Sequence, residues 1–305
     1  MGEGLNITNV ADGCIMCLHY FGIFKYPLRP EEVHKFNSQR SDIKAVKKAL
    51  DKLADDSKIY RQKGYFLEKD EGSWIVEREE GNQRALNLLA RSKKYIRIIA
   101  SFPFVRGIAI SGSLSKFYAT THPDIDYFII TEKNRLWIAR SFLHFFKKLT
   151  FLTGHQHYFC MNYFVDTEAL VIEHPNMYSA IEMTTLLPVY NKELILQLYA
   201  HNPWVENILP NHSGIDNFSY LIGNRKKICK HLIEKILNIS APERFNTFLM
   251  RVTDKKWRKK WRHSRYSEEE YNRAFRTSVH ISKNHPMDYE KKVLESLHTE
   301  GGSSE

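Results

Sequence analysis

Two aspartates separated by one residue carry the strongest chemical signal in the chain. Asp124 and Asp126 stand at the start of an apolar, β-branched run that ends at Thr131. On a strand, residues i and i+2 project from the same face, so both carboxylates would point the same way. Carboxylate oxygens held on one face suit a hard cation such as Mg²⁺, whose remaining positions go to water and substrate phosphates. The pair therefore predicts a site for Mg²⁺ or Mn²⁺.

A Gly-Ser step precedes the aspartates and follows directly on a second apolar run, which spans Val105 to Ile110. Gly112 has no side chain, so a phosphate can approach the backbone there, and Ser113 offers both a hydroxyl and an N–H. Together with a metal held by the aspartates, this step supplies the parts for an in-line attack on a nucleoside triphosphate.

The order of these features resembles the nucleotidyltransferase superfamily, the fold of DNA polymerase β, aminoglycoside nucleotidyltransferases and the small MNT proteins. Its members have an apolar strand, Gly-Ser, a short gap, and Asp-x-Asp on the next strand. This chain has GIAISGS over 107–113 and DIDYFII over 124–130. The likeness is firm over 105–131 and looser to about residue 205, and it extends to uncharacterised bacterial and archaeal nucleotidyltransferases. It implies an α/β (α+β) nucleotidyltransferase fold, with a mixed sheet flanked by helices.

The resemblance also implies roles for individual residues. Asp124 and Asp126 would hold the metal, while Gly112 and Ser113 would hold the β- and γ-phosphates of a nucleoside triphosphate, ATP being the first candidate. Lys116 stands where relatives often place a basic residue, so it is a third candidate for phosphate binding. The implied activity is transfer of a nucleoside monophosphate to a hydroxyl of an acceptor, with release of pyrophosphate.

The chain departs from the family pattern in two places. Many members have Gly-x-x-Ser just before the first aspartate, where this chain has Thr-His-Pro over 121–123. The family often adds a third carboxylate on a later strand, as general base for the attacking hydroxyl. The later strand is expected over Tyr158–Val165, which makes Asp166 the candidate base on the face of Asn162, against an alternative role in the turn. Asn162 cannot accept a proton, so binding of nucleotide without turnover is the alternative if neither residue serves.

The first 80 residues are expected to form a small winged-helix-like domain. The pattern over Ala11–Glu68 predicts three helices and then a short hairpin, in the order of a winged helix. The third helix mixes lysines with aspartates, whereas a DNA-reading helix is usually more one-sided in charge. A structural or docking role is therefore favoured over DNA binding, which stays open.

Residues 81–205 are expected to form the nucleotidyltransferase core, in the order β–β–α–β. A helix over Asn82–Ala100 precedes the first strand, and a helix over Arg135–Leu152 separates the aspartates from the later strand. Two further helices are expected over Tyr178–Leu187 and Glu193–His201, broken by prolines. Glu182 on the first of them is a candidate nucleotide contact, and His155 and His157 are interpreted as loop residues.

The remaining residues, 206–305, are expected to be helical and basic. The segment Arg225–Arg265 holds 14 Lys and Arg against three acids, so it carries the whole of the formal net charge of +10. At helical spacing Trp257 and Trp261 share one face. The structural interpretation is a solvated helix anchored by two tryptophans. The alternative is contact with nucleic acid, a nucleotide or an acidic partner.

Composition limits the remaining possibilities. The 305 residues are 43% hydrophobic, which is enough to bury a core, and no apolar run approaches the length of a membrane span. Four cysteines in a chain of this length are not a disulfide framework, and Cys14 and Cys17 are interpreted as core residues rather than half of a zinc site. With no secretory signal visible, a cytoplasmic protein without membrane partners is expected.

Two functions outside catalysis on small molecules stay open at this point. One is a nucleic-acid-binding regulator with a degenerate transferase core, which would use the N-terminal helices and the basic segment. The other is a protein-modifying toxin–antitoxin component, in which the acceptor is a Tyr or Ser of a partner protein.

Overall fold

The computed structural model describes residues 9–215, 219–223, 228–238, 242–261 and 266–301. Its first elements are three helices followed by an antiparallel hairpin, in the predicted order. Asn9 accepts hydrogen bonds from the first turn of the first helix, Asp42 does so for the third, and Pro30 opens the second. These elements are α1 Val10–Gly22, α2 Pro30–Phe36, α3 Ile43–Asp55, β1 Tyr60–Gln62 and β2 Tyr65–Leu67.

The central part follows the expected β–β–α–β order. A long helix leads into two antiparallel strands, and a helix then connects the second of these to a parallel neighbour. Two short 3₁₀ turns, Phe151–Thr153 and Gln156–Phe159, complete that connection. The elements are α4 Ser73–Ala100, β3 Val105–Ser111, α5 Gly112–Ser115, β4 Asp126–Thr131, α6 Leu136–Thr150 and β5 Cys160–Asp166.

The next segment alternates short helices with an edge strand, in the order α7 Met177–Thr184, β6 Leu187–Tyr190, α8 Lys192–Ala200 and α9 Trp204–Ile208. The prediction of a helix that reaches Leu187 is wrong, because α7 ends at Thr184 and the chain pairs with β3. Proline lacks the N–H that a central strand must donate, but an edge strand tolerates it, and β6 contains Pro188 at the sheet edge.

The C-terminal part is mainly helical but also supplies a strand. It comprises α10 Ile228–Leu237, α11 Pro242–Trp261, α12 Glu268–Ala274, β7 Ile281–Lys283 and α13 Tyr289–Gly301. β7 pairs with β5 and completes a mixed sheet of order β6-β3-β4-β5-β7. His19 Nε2 on α1 lies 2.9 Å from Ser296 Oγ on α13, so contacts cross both of the predicted domain boundaries.

Each face of the central sheet is covered by helices. Phe128, Ile130 and Val165 belong to a buried cluster that also contains residues of α1, α7 and α8, whereas Ile129 and Phe164 belong to a second cluster with residues of α4 and α6. Because neighbouring residues of a strand point to opposite faces, strands buried on both sides need an unbroken apolar run. The arrangement is a mixed α/β fold with helices flanking the sheet.

The two tryptophans of the basic segment point inward. Trp257 packs edge-on against Trp137 and Phe275, with ring centroids 6.4 and 6.2 Å apart, and Trp261 stacks on Phe275. The interpretation of an anchored helix is therefore confirmed for α11. Positions 225–227, 262 and 265 of this basic segment, Arg225–Arg265, lie outside the described residues.

Two further expectations can be compared with the fold. Cys14 and Cys17 are buried within α1, which confirms that they pack in the core. Across the described ranges, no helix has the length and apolar character needed to cross a bilayer.

Candidate active site

A cavity of about 760 Å³ lies in front of the start of β4. Its wall is assembled from parts of the chain that are far apart in sequence: the Gly-Ser turn, the aspartate segment, α1, α7 and the segment 272–290. It includes Ser111, Gly112, Ser113, Lys116, Asp124, Asp126 and Asn162. The cavity therefore brings together all of the predicted site residues except one.

Gly112 turns the chain between β3 and α5 in direct contact with an aspartate. Its φ of +68° lies in the left-handed region, which residues with a Cβ rarely adopt. A Cβ at this position would lie 2.7 Å from Asp126 Oδ2. The register explains this contact, because Ser111 at the end of β3 is paired with Asp126 at the start of β4. Glycine is thus needed here both for the turn and for the approach of the carboxylate.

Asp126 stands partly buried at the start of β4, with its carboxylate on the cavity wall. Its Oδ1 accepts a hydrogen bond from Asn162 Nδ2 at 2.8 Å. Burial raises the pKa of Asp126 to about 6, a contact with Cys160 opposes this, and the negative charges of Asp124 and Glu182 add to the increase. Three carboxylates therefore share this part of the wall.

Asp124 precedes β4, which begins at Asp126, so the prediction that both aspartates lie on the strand is wrong, and Asp124 is exposed. His157 Nδ1 lies 2.7 Å from Asp124 Oδ1, and the His157 carbonyl accepts a hydrogen bond from the N–H of Ile125. The sequence predicts His157 as a loop residue. It lies 33 positions from Asp124 along the chain, and no local sequence pattern indicates that the two side chains meet. Its contact with Asp124 depends on the parallel pairing of β4 and β5, which brings the starts of the two strands together.

Lys116 lies on the cavity wall after α5, close to the Gly-Ser turn. Its Nζ is 2.6 Å from Glu182 Oε1 and donates a hydrogen bond to the Gly112 carbonyl at 3.2 Å. Glu182 comes from α7, so this ion pair joins α7 to the turn. Ser113 lines the cavity beside them, and its carbonyl accepts hydrogen bonds from the next turn of the chain. Like Gly112, the phosphate-binding candidates Ser113 and Lys116 therefore line the same cavity as the aspartates.

The structure does not bring Asp166 to this site. Asp166 is paired with Thr131 at the end of β4, whereas Asp126 is paired with Cys160 at its start. At the usual rise along a strand, six residues separate the two ends by about 20 Å. Asp166 is fully buried and accepts hydrogen bonds from the N–H groups of Asn134 and Glu168. The prediction of Asp166 as general base therefore has no geometric support.

The two aspartates fit the way in which proteins usually hold Mg²⁺. Within the described ranges, no group of three or more His, Cys, Asp or Glu side chains forms a metal site. Mg²⁺ commonly binds through one or two carboxylates and takes its other ligands from water and phosphates. Asp124 and Asp126 supply such a pair, and the missing side chain at Gly112 leaves Asp126 Oδ2 unobstructed on that side.

Comparisons with protein-family models, curated proteins and solved structures gave no match to this chain. The geometry of the site is therefore the basis for assigning a function.

Proposed function

We propose that this protein is a Mg²⁺-dependent nucleotidyltransferase, which transfers a nucleoside monophosphate from a nucleoside triphosphate to a hydroxyl. ATP is the first candidate donor. The proposal is supported chiefly by one observation: a left-handed Gly-Ser turn lies against the Asp126 carboxylate in front of a cavity of about 760 Å³. In this proposal the sheet has the nucleotidyltransferase fold, and α1–α3 with the β1–β2 hairpin form a winged-helix-like unit.

The proposed roles follow from where the polar groups lie on the wall. Asp124 and Asp126 hold the metal, with His157 and Asn162 orienting their carboxylates. The Ser113 hydroxyl and the backbone around Gly112 bind the β- and γ-phosphates, since a glycine allows an anion to reach the main chain. Mg²⁺ or Mn²⁺, when bound, neutralises the charge that develops on the leaving oxygens.

Lys116 binds the terminal phosphates in this proposal. Its ammonium group lies between the Gly112 carbonyl and Glu182, at the side of the turn where the terminal phosphates would bind. Glu182 holds this flexible side chain in place until a phosphate competes for it. Lysine suits such a task because its charge sits on a long stem with freely rotating donors.

The reaction balances without a redox partner. The acceptor hydroxyl oxygen forms a bond to the α-phosphorus, the bond from that phosphorus to the β-bridging oxygen breaks, and pyrophosphate leaves with the electron pair. With Asp166 at the far end of the strands, no general base is assigned, and the hydroxyl proton passes to water. The chain contributes binding and positioning, which account for most of the acceleration in phosphoryl and nucleotidyl transfers.

The test is incubation of the protein with Mg²⁺ and each of four α-labelled nucleoside triphosphates, with small-molecule, RNA and protein fractions as acceptors. Transfer of label that EDTA abolishes, and that the Asp126→Asn variant lacks, supports the proposal. Label on no fraction with any of the nucleotides contradicts it. A nucleic-acid-binding regulator would give that negative result and would bind nucleic acid with an affinity that falls steeply with salt.

A further inference from the structure

The helix α10 turns its apolar side outward. The side chains of Ile228, Leu232 and Ile236 are 85, 58 and 59% exposed, and Cys229 and Ile233 are exposed beside them. At ~100° per residue these five residues fall within an arc of roughly 140° of the helix surface. We call this arc the α10 stripe. It is unusual because a surface helix of a globular protein normally packs its apolar stripe into the core.

Polar contacts hold α10 in this orientation. The buried Glu234 Oε1 accepts hydrogen bonds from the N–H of Phe104 at 2.6 Å and from Arg106 Nη1 at 2.8 Å. Lys230 Nζ donates to the carbonyl of Val105 at 2.6 Å. Turning the stripe toward the core would break these contacts and separate a partly buried ion pair, which costs free energy. The interactions of the protein itself therefore keep the stripe on the surface.

The next helix adds to this surface. Leu237 of α10 and Leu249 of α11 pack against the same buried cluster around Phe104, so the two helices are neighbours. On its exposed side α11 presents Phe245 and Phe248. Single exposed apolar residues are normal on a protein surface, but a group of them on neighbouring helices indicates an interaction site.

Positive charge accompanies these apolar residues. The helix α11 has seven Lys and Arg against two acids, Glu243 and Asp254. All seven cations are exposed, and within the described ranges Arg258 alone forms an ion pair, with Asp254. On α10 the exposed Lys235 borders the stripe at helical spacing. The surface therefore suits a partner that is both apolar and negatively charged.

An anionic bilayer has both properties. Its headgroups attract Lys and Arg, and the boundary between headgroups and acyl chains takes up the apolar face of a helix that lies along it. Lys and Arg stems can extend from beside an embedded apolar face to the headgroups. A fluid bilayer also needs no matching shape to accept side chains from two helices.

Other occupants fit this surface less well. A second copy of the chain would bring the same positive charge against it. Nucleic acid would meet the cations, but aliphatic side chains such as Ile228 and Leu232 offer it neither stacking nor hydrogen bonds. A protein groove that encloses a helix would be blocked on one side, because Glu234 and Lys230 hold α10 against the rest of the chain.

We infer that α10 and α11 bind the surface of an anionic bilayer, with the α10 stripe embedded at the boundary between headgroups and acyl chains. The expectation of no membrane partner depended on the absence of a run long enough to span a bilayer, and a helix that lies along the surface needs no such run. The inference is independent of the proposed transfer. Lys230 contacts Val105, which pairs with Thr131 at the end of β4, so bilayer and cavity lie at opposite ends of this strand.

The experiment is flotation of the full chain with two kinds of vesicle, phosphatidylcholine alone and phosphatidylcholine with about one-third phosphatidylglycerol. Binding to the anionic vesicles that is at least about tenfold tighter than to the neutral ones, and that falls with added salt, supports the inference. Binding to neither kind of vesicle, or equal binding to both, overturns it.

A fluorophore on Cys229 tests whether the stripe is embedded. Of the four cysteines, Cys229 is the exposed one, and it lies within the stripe. The emission of a bimane attached there should shift to shorter wavelength when anionic vesicles are added, because the probe leaves water for the acyl boundary. Binding to these vesicles without an emission shift would show adsorption by charge alone and overturn the embedding of the stripe.

Leu232→Ser and Leu196→Ser form a matched pair that locates the contact. Both leucines are exposed on helices, but Leu196 lies on α8, whose buried residues belong to the cluster on the other face of the sheet. Leu232→Ser should weaken binding to the anionic vesicles about tenfold, and Leu196→Ser should leave it unchanged. Equal effects of the two variants, or none from Leu232→Ser, would overturn the placement on α10. A dimer in sedimentation equilibrium that Leu232→Ser dissociates would assign the stripe to self-association and also overturn the inference.

Discussion

The strands β4 and β5 carry one buried or partly buried aspartate at each end, and the two ends differ in what surrounds the carboxylate. Asp126 at the start has one side-chain amide donor, Asn162, and faces a cavity. Asp166 at the far end accepts two backbone hydrogen bonds, lies 2.7 Å from His280 Nδ1 and is fully buried. A carboxylate has about four acceptor positions. Asp166 is enclosed by the protein through three polar contacts, whereas Asp126 contacts the side chains of Asn162 and Cys160 and faces the cavity.

The direction of the strands accounts for this difference. Because β4 and β5 are parallel, both of their starts meet at the cavity and both of their ends meet on the opposite side. The loops that leave the ends supply the N–H groups of Asn134 and Glu168, which enclose Asp166. At the starts, Gly112 supplies no side chain to enclose Asp126. The end of the strand pair at which each aspartate stands therefore decides whether the protein encloses it or leaves it facing the cavity.

The largest expected effect comes from Asp126→Asn. In the proposed function, the amide keeps the shape of the side chain but removes the charge that would bind the metal, so the rate of label transfer should fall about a thousandfold. The midpoint of thermal unfolding should stay close to that of the wild type, because the amide oxygen still accepts the hydrogen bond from Asn162. Wild-type rates in this variant would contradict the metal role of Asp126.

Asp166→Asn should have the opposite signature. An amide cannot accept both backbone hydrogen bonds without placing an N–H against another N–H, so the free energy of unfolding should fall by about 2–3 kcal/mol. Urea denaturation measures this loss, and the rate of transfer per folded molecule should be unchanged. Lost activity with unchanged stability would return Asp166 to the candidate catalytic residues.

Gly112→Ala and Gly154→Ala form a matched pair. The two glycines have φ angles of +68° and +69°, so the alanines suffer the same backbone strain. Only the alanine at 112 meets a neighbour, since its Cβ would reach Asp126 Oδ2, whereas nothing lies within 4 Å at Gly154. The Mg²⁺ concentration for half-maximal activity should rise roughly 10–100-fold for Gly112→Ala alone. An equal rise of this Mg²⁺ concentration in both variants would show that backbone strain alone causes it.

The smallest expected effect is that of His157→Ala. His157 contacts Asp124 in an exposed pair, so its loss should raise the Mg²⁺ requirement by only about fivefold. His155→Ala is the control, because His155 packs near Tyr158 instead. A loss of transfer rate as large as that expected for Asp126→Asn would give His157 a more direct role than positioning.

What could be predicted from the sequence was local. The spacing of Asp124 and Asp126, the Gly-Ser step and the order of the central elements depend on residues close in the chain, and the structure contains all of them. The surroundings of Asp166 and His157 depend on which strand ends lie side by side in the sheet. No local sequence pattern specifies that arrangement. β7 has three residues and β6 has four including Pro188, too few for a period-two pattern to appear. The cavity joins α1 and α7 to the Gly-Ser turn and therefore exists only in the fold.

The position of β7 has a consequence for when the cavity is completed during synthesis. The strands that present Gly112 and Asp126 leave the ribosome well before the segment 272–290, which begins within α12 and forms part of the cavity wall. A nascent chain that has folded its first four sheet strands thus holds the Gly-Ser turn and Asp126 beside an incomplete cavity. In the proposed function, nucleotidyl transfer would begin only after β7 has docked.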